Sequence, residues 1–269
     1  MRARAASHRE AARSRWAAVR LGRTFVLCLI AATACLPPQS EREPRLTMVI
    51  GIDVSGSFQN TGQFDDALRF AAHYIYGHLN ELGGLEPPGA LFVGSIGGER
   101  PGEPKSFHPI HDFQGKSAAE IEADLRRWFT PDDRFTDFNP FFERVATLVK
   151  RQNLILKPLA VVVISDGVPD VTARAASRAQ DARYRGIDLR PLELLSRNVT
   201  VRLLYANPGV IRRWEQDIPR QRVRMWTVDG EVMEGWRAQV APGVSLERQE
   251  SLWRWISDNV DFRVRRRLL

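Results

Sequence analysis

The stretch Met48–Phe58 (MVIGIDVSGSF) constrains the fold more than any other part of the chain. It opens with the apolar run Met48–Ile52, which is rich in β-branched residues and predicts a strand buried on both faces of a sheet. Oxygen-bearing side chains then alternate with other residues at Asp53, Ser55 and Ser57. In open α/β sheets, ligands bind beyond the carboxyl ends of the strands, so these side chains predict a ligand site.

The residue types at this position fit a hard cation. Mg²⁺ prefers oxygen ligands in near-octahedral geometry and keeps several waters. The hydroxyl groups of Ser55 and Ser57 can contact such an ion directly, while the Asp53 carboxylate can hold a metal-bound water. Because the direct ligands would be mostly neutral, the ion would be short of negative charge and would attract a carboxylate from outside.

Two further segments carry side chains of the same kind. Val161–Gly167 (VVVISDG) is an apolar strand that ends in Ser165, Asp166 and a turn glycine. Between the two strands, Arg134–Pro140 (RFTDFNP) is a polar loop, and Pro140 opens the helix that follows it.

Five of these residues, taken in chain order, resemble the metal-ion-dependent adhesion site of the von Willebrand factor type A (VWA) family: Asp53, Ser55, Ser57, Thr136 and Asp166. The resemblance covers roughly residues 47–262. It implies that the three hydroxyl groups face the metal, Mg²⁺ or Mn²⁺, and that the two carboxylates bind it directly or through water. The chain departs from the family at Arg134 and Phe135, where the family often has glycine before the threonine.

Each of these residues also has a purely structural interpretation. Asp and Ser after a strand are ordinary N-caps and turn residues, and only the complete set favours the metal site. We assign Asp137 no metal role, because it can cap the helix at Pro140. Phe135 and Phe138 can either pack against a partner beside the metal or belong to the core.

Residues 1–35 predict an export signal rather than part of the fold. An arginine-rich start precedes the apolar run Phe25–Ala32, and small residues then end at Cys35, as in a bacterial lipoprotein signal. That resemblance implies lipid on Cys35, and Leu36 after it favours the outer membrane, on its periplasmic face. The alternative is an uncleaved N-terminal anchor in the inner membrane, although the run is shorter than the ~20 residues that span a bilayer.

Charge and cysteine content exclude several function classes. The net charge is +7, but residues 1–35 carry seven Arg and one Glu, so the remainder carries only +1 and nucleic-acid binding loses its main support. The only cysteines are Cys28 and Cys35, so a processed chain cannot form an internal disulfide. Residues 36–46 are proline-rich and predict a tether, and residues 263–269 form a basic tail.

The alternation of apolar strands and amphipathic helices predicts an α/β fold, a doubly wound, mostly parallel sheet with helices on both faces. The VWA resemblance places one antiparallel edge strand within Ser106–Phe113. That segment also contains His108, His111 and Asp112, but a zinc site there lacks support, and an edge strand is the favoured interpretation.

These observations predict Mg²⁺-dependent protein binding, without catalysis, by the VWA domain of a cell-envelope lipoprotein. The expected partner is a protein that presents an Asp or Glu carboxylate to the metal. The alternative is a Mg²⁺-dependent phosphatase with Asp53 as nucleophile. Phosphatases of the haloacid dehalogenase type require a second Asp two residues after the nucleophile, a position at which this chain has Ser55.

Overall fold

The computed structural model describes residues 44–97, 106–130, 136–170 and 181–261. The predicted signal with Cys35, most of the tether, the loop residues Arg134 and Phe135, and the basic tail lie outside the described residues and remain predictions. Within the described ranges, no helix is long and apolar enough to cross a membrane.

One sheet contains the six strands of the described residues: β1 (Leu46–Asp53), β2 (Pro88–Ile96), β3 (Phe107–Pro109), β4 (Leu159–Ile164), β5 (Val199–Ala206) and β6 (Val223–Asp229). Their order across the sheet is β3-β2-β1-β4-β5-β6. All neighbours run parallel except β3, which is antiparallel to β2. The predicted fold class is therefore confirmed, including the antiparallel edge strand within Ser106–Phe113.

Helices cover both faces of the sheet. Those of the described residues are α1 (Gly56–Asn60), α2 (Phe64–Leu79), α3 (Ala118–Trp128), α4 (Phe138–Arg151), α5 (Asp181–Arg185), α6 (Arg190–Glu193), α7 (Pro208–Asp217), α8 (Gly230–Glu234) and α9 (Glu250–Asn259). Apolar residues of α1, α2, α8 and α9 pack on one face, and those of α4, α6 and α7 pack on the other. The sheet thus lies between two separate apolar layers, as in other doubly wound folds.

Strand β1 lies at the centre of the sheet because its residues are mostly apolar and can be buried on both faces. Each residue from Leu46 to Asp53 is buried, and the strand pairs with β2 on one side and β4 on the other. A side chain at Gly51 would collide with the Phe141 ring of α4, so the glycine lets that helix approach the strand closely. This packing fixes the position at which Asp53 leaves the sheet.

Several helix boundaries differ from the sequence-based expectation. Helix α4 begins at Phe138 rather than Pro140, since proline is tolerated within the first turn, where the N–H has no intrahelical partner. The sequence predicts a single helix over Leu246–Val260, but the structure interrupts it at Gln249, whose side-chain amide bonds to backbone groups of Ala241 and Val244. Short helices such as α1 and α8 were not predicted from the sequence.

Candidate metal-binding site

Asp53 joins the two central strands at their carboxyl ends. Its side chain is fully buried, and Oδ1 accepts a hydrogen bond from the Ser55 N–H at 2.9 Å. The Ser165 hydroxyl, at the end of β4, donates to Asp53 Oδ2 at 2.5 Å. Both oxygens of the carboxylate are thus held in place by the chain itself.

The turn after β1 presents two serine hydroxyls. Ser55 is the N-cap of α1, and its Oγ accepts from the Phe58 N–H over a long 3.5 Å. Ser55 Oγ also lies 3.0 Å from Ser57 Oγ. Ser55 is buried whereas Ser57 is exposed, so the site opens toward solvent on the Ser57 side. The capping and ligand interpretations of Ser55 are compatible, because the weak cap leaves its hydroxyl able to bind a cation.

Asp166 follows β4 in a tight turn. Its Oδ1 accepts from the Val168 N–H at 2.9 Å, while the Gly167 N–H donates to Ser165 Oγ at 2.9 Å. Gly167 adopts a left-handed backbone with φ +74°, which only glycine adopts without strain. The Trp214 indole of α7 donates to the Gly167 carbonyl at 2.7 Å and fixes the turn against that helix.

Thr136 is held in place by a reciprocal pair of hydrogen bonds with Asp170. The Thr136 N–H donates to Asp170 Oδ2 at 2.7 Å, and the Asp170 N–H donates to the Thr136 carbonyl at 3.0 Å. The Thr136 side chain is fully buried, yet its Oγ1 has no hydrogen-bond partner within the described ranges. Next to it, Asp137 caps α4 by accepting from the Asn139 N–H at 3.1 Å, which confirms its structural role.

Two neighbouring buried carboxylates dominate the electrostatics of the site. Burial raises the pKa of Asp53 to about 7 against the hydrogen bonds from Ser165 and Ser55, and the charge of Asp166 raises it further. Burial also raises the pKa of Asp166, while contact with the Ser57 hydroxyl lowers it in part. Within the described residues, neither carboxylate forms a salt bridge with Lys or Arg.

These features fit a divalent cation. In the part of the chain that the structure describes, the buried carboxylate pair has no cationic partner and the Thr136 hydroxyl has no hydrogen-bond partner, and a bound cation would remove the cost of both. The described residues contain no cluster of three or more His, Cys, Asp or Glu able to hold a metal, so the donors here are hydroxyls and two carboxylates. Such an all-oxygen donor set suits Mg²⁺ or Mn²⁺.

Three contributing residues were missed or undervalued in the sequence. Ser165 supports Asp53, Asp170 holds Thr136, and Trp214 fixes the Asp166 turn. Only Ser165 and Asp170 carried a signal, since both are polar residues beside a predicted ligand at a strand end. Phe138 belongs to the core, because it is 1% exposed and packs edge-on against Trp214 at 5.1 Å.

The histidine segment of the edge strand is accounted for by packing. His108 Nδ1 lies 3.3 Å from Asp112 Oδ2, and the His108 ring stacks on Trp128 at 3.7 Å. His111 is largely exposed, with its Nε2 3.8 Å from Asp112 Oδ1. The edge-strand interpretation is confirmed for Phe107–Pro109.

Comparisons with known proteins give structural neighbours only. The chain matches no family profile and no curated protein sequence. Proximal thread matrix protein 1 from the mussel byssus aligns at 10% identity with a TM-score of 0.41 over 80% of this chain, which spans only 48% of that protein. Another crystal structure of the byssus protein contains a zinc-occupied metal-ion-dependent adhesion site.

Two further neighbours have similar scores. The SpRpn10 VWA domain aligns at 13% identity with a TM-score of 0.40, over 68% of this chain and 88% of that domain. The human COPII-coat protein Sec24c aligns at 9% identity with a TM-score of 0.41, over 69% of this chain and 30% of that protein. The fold class of the present chain follows from its own strand order and strand directions.

Proposed function

We propose that this protein binds another protein through a divalent cation held at the carboxyl end of its central strands. The observation that carries the proposal is the buried Thr136 hydroxyl, which has no hydrogen-bond partner among the described residues. Thr136 is bonded to Asp170, whose charge acts on Asp166, one of the two buried carboxylates. Ser55, Ser57 and Thr136 would hold the ion directly, with Asp53 and Asp166 completing its charge.

The burial of the proposed site residues indicates the side from which a ligand can reach the ion. Asp53, Ser55 and Thr136 are buried, and only Ser57 is exposed, so a ligand reaches the site from the Ser57 side. When bound, Mg²⁺ or Mn²⁺ supplies an open coordination position with positive charge, for which a carboxylate is the best incoming ligand. An Asp or Glu side chain of a partner protein is therefore the expected ligand.

A phosphatase with Asp53 as nucleophile is the less favoured alternative. A nucleophilic oxygen has to reach the substrate phosphorus, but Asp53 is completely buried, and both of its oxygens accept hydrogen bonds from the chain. We expect no hydrolysis of p-nitrophenyl phosphate above background with Mg²⁺ or Mn²⁺. Turnover that disappears in an Asp53→Asn variant would establish the alternative instead.

Metal-dependent capture of a partner tests the proposed function. Protein coupled to resin is incubated with cell-envelope extract in Mg²⁺ or in EDTA, and the wild type is compared with Thr136→Val. Valine has almost the same shape as threonine but lacks the oxygen that would bind the ion. Capture should require Mg²⁺ and be lost in Thr136→Val, while Thr147→Val, which alters an exposed hydroxyl on α4, keeps it. Equal capture in EDTA would refute a role for the metal.

We further propose that the protein is a lipoprotein of the bacterial cell envelope. Support comes from the sequence, where an arginine-rich start and an apolar run end in small residues and Cys35. The mature chain should begin at Cys35 and carry acyl groups, as measured by mass spectrometry of protein purified from its native host. A mature chain with a free Cys35, or without that residue, would contradict this assignment.

A further inference from the structure

A groove lined by arginines begins beside the Asp166 turn. It is a cavity of about 590 Å³ bordered by the segment after β4, by α5 and by the first turns of α7. Val168 lines its near end, and the Val168 N–H donates to Asp166 Oδ1 at 2.9 Å. The groove therefore starts two residues from a carboxylate of the proposed metal site.

The walls of the groove are fixed to that site. Helix α7 is anchored by the bond from the Trp214 indole to the Gly167 carbonyl. A side chain at Gly167 would come within 2.9 Å of Val210, which also lines the groove, so α7 packs directly on the turn. Burial raises the pKa of the Tyr184 hydroxyl of α5; the charge of Asp166 raises it further, whereas Arg183 and Arg213 lower it, so Tyr184 lies close to these three charges.

The charge of the groove has one sign. Its lining includes Arg183, Arg212 and Arg213 but no Asp or Glu among the described residues. Arg213 pairs with Asp217 at 3.1 Å. Arg183 and Arg212 are exposed, and within the part of the chain that the structure describes their guanidinium groups form no hydrogen bond or ion pair.

A second cavity of the described residues also contains an arginine, but its charge is paired. The cavity beside α2 and α3 contains one arginine, Arg126, and this side chain is bonded to Asp65 and Glu122. Its charge is therefore already neutralised by the protein. The groove beside Asp166 instead leaves two guanidinium groups available to an anionic ligand.

We propose that this groove binds an acidic segment of the same partner protein whose carboxylate the metal site takes, an inference that rests on the proposed function. Guanidinium groups bind carboxylates in planar, two-pronged geometry, which favours Asp and Glu side chains as ligands. The N-cap residue Asn207 and Gly209 in the first turn of α7 also line the groove, and the positive end of a helix favours anions. A partner with one carboxylate at the metal and further acidic residues beside it would satisfy both parts of the surface.

A peptide of six glutamates with a fluorescein label tests the groove by anisotropy. The full-length chain is titrated in Mg²⁺ at several salt concentrations, and a peptide of six glutamines serves as the neutral probe. The double variant Arg183→Gln/Arg212→Gln should bind the acidic peptide about three- to tenfold more weakly, with a shallower dependence on salt. The matched variant Arg248→Gln/Arg254→Gln changes two exposed arginines near α9, on the opposite face of the sheet, and should bind as the wild type does.

Three results would overturn the inference. Unchanged peptide binding by Arg183→Gln/Arg212→Gln would refute the groove as a binding site for acidic segments. This holds even if EDTA and Thr136→Val abolish the Mg²⁺-dependent binding of the peptide, a result that would uphold the proposed function. Equal binding of the glutamine peptide would exclude recognition of charge. Equally tight binding of phosphatidylglycerol vesicles, lost in the same variant, would replace the acidic protein segment with a lipid surface.

A different result would separate the groove from the metal site. Weaker peptide binding by the double variant, together with no effect of EDTA or Thr136→Val, would support the groove and contradict the metal-dependent function.

Discussion

At the scale of single residues, Asp53 should make the stability of the metal-free protein depend on pH. Its pKa is about 7 in the folded protein against 3.8 for an ordinary Asp, so the unfolded chain releases this proton at lower pH. The free energy of unfolding in EDTA should therefore fall as the pH rises from about 4 to about 7 and then level off, by up to the order of 4 kcal/mol.

The Asp53→Asn variant tests this assignment. Asparagine keeps the shape and cannot ionise, so the fall in unfolding free energy between pH 5 and pH 8 should shrink. At pH 8 in EDTA, the variant should be more stable than the wild type. Urea denaturation at both pH values measures the effect, and identical pH profiles of the two proteins would show that Asp53 is not the responsible group.

A second prediction for a single residue concerns Thr136 and compares the stability of the protein with and without metal. Because Thr136 Oγ1 is buried and has no hydrogen-bond partner among the residues with a described structure, Thr136→Val should leave the melting temperature in EDTA unchanged or raise it. In the wild type, Mg²⁺ at 100 times its dissociation constant should add about 2.7 kcal/mol of stability, and the variant should lose this gain. A full Mg²⁺ response in Thr136→Val would remove the threonine from the site.

At the scale of helices and strands, the sequence predicted the central strands but not the contacts between them. Apolar runs such as Val161–Ile164 predicted the central strands, because strands buried on both faces need continuous apolar residues. The five predicted site residues came from the resemblance to the VWA family, because Asp and Ser at strand ends are by themselves ordinary turn residues. The partnership of Ser165 with Asp53 was not predictable, since it crosses from β4 to β1 between residues 112 positions apart. Helix α1 escaped prediction because five residues carry too little periodicity.

A prediction at the scale of elements concerns the contact between α7 and the Asp166 turn. Trp214→Phe keeps most of the buried ring but removes the donor to the Gly167 carbonyl. A looser turn should weaken Mg²⁺ affinity several-fold and cost about 1–3 kcal/mol of stability. Trp253→Phe removes an equivalent indole bond, to Leu246 O at 2.8 Å on the other face, so it should destabilise without changing Mg²⁺ affinity. Calorimetric titration of both variants separates the two effects.

At the scale of the whole molecule, a buried charged network lies at the opposite end of the sheet from the site. Arg202 of β5 bonds to Asp261 at 2.9 Å, and the Tyr74 hydroxyl donates to the same Asp261 oxygen at 3.1 Å. Asp261 follows α9, and Leu46 and Leu159, at the amino ends of β1 and β4, line the same cavity. This network ties the end of the last described helix to the sheet.

Removing one partner of that network should destabilise the fold but spare the site. Arg202→Leu removes the guanidinium that lies 2.9 Å from the buried Asp261 carboxylate, and breaking such buried pairs costs about 3–5 kcal/mol. Arg224→Gln changes an exposed arginine of the same cavity and should cost little. Chemical denaturation should show the difference, while Mg²⁺ affinity at temperatures where both variants are folded should equal that of the wild type. Reduced affinity in Arg202→Leu would show that the two ends of the sheet are coupled.

The reciprocal pair between Thr136 and Asp170 has a consequence for how such a protein can acquire new targets. The two bonds hold the N–H and the carbonyl of Thr136, and neither uses a side chain from the residues before it. Both bonds join Thr136 and Asp170 alone, so they do not depend on which amino acids stand at positions 131–135. Evolution, or a display library, could vary the sequence before Thr136 without removing the bonds that hold its backbone.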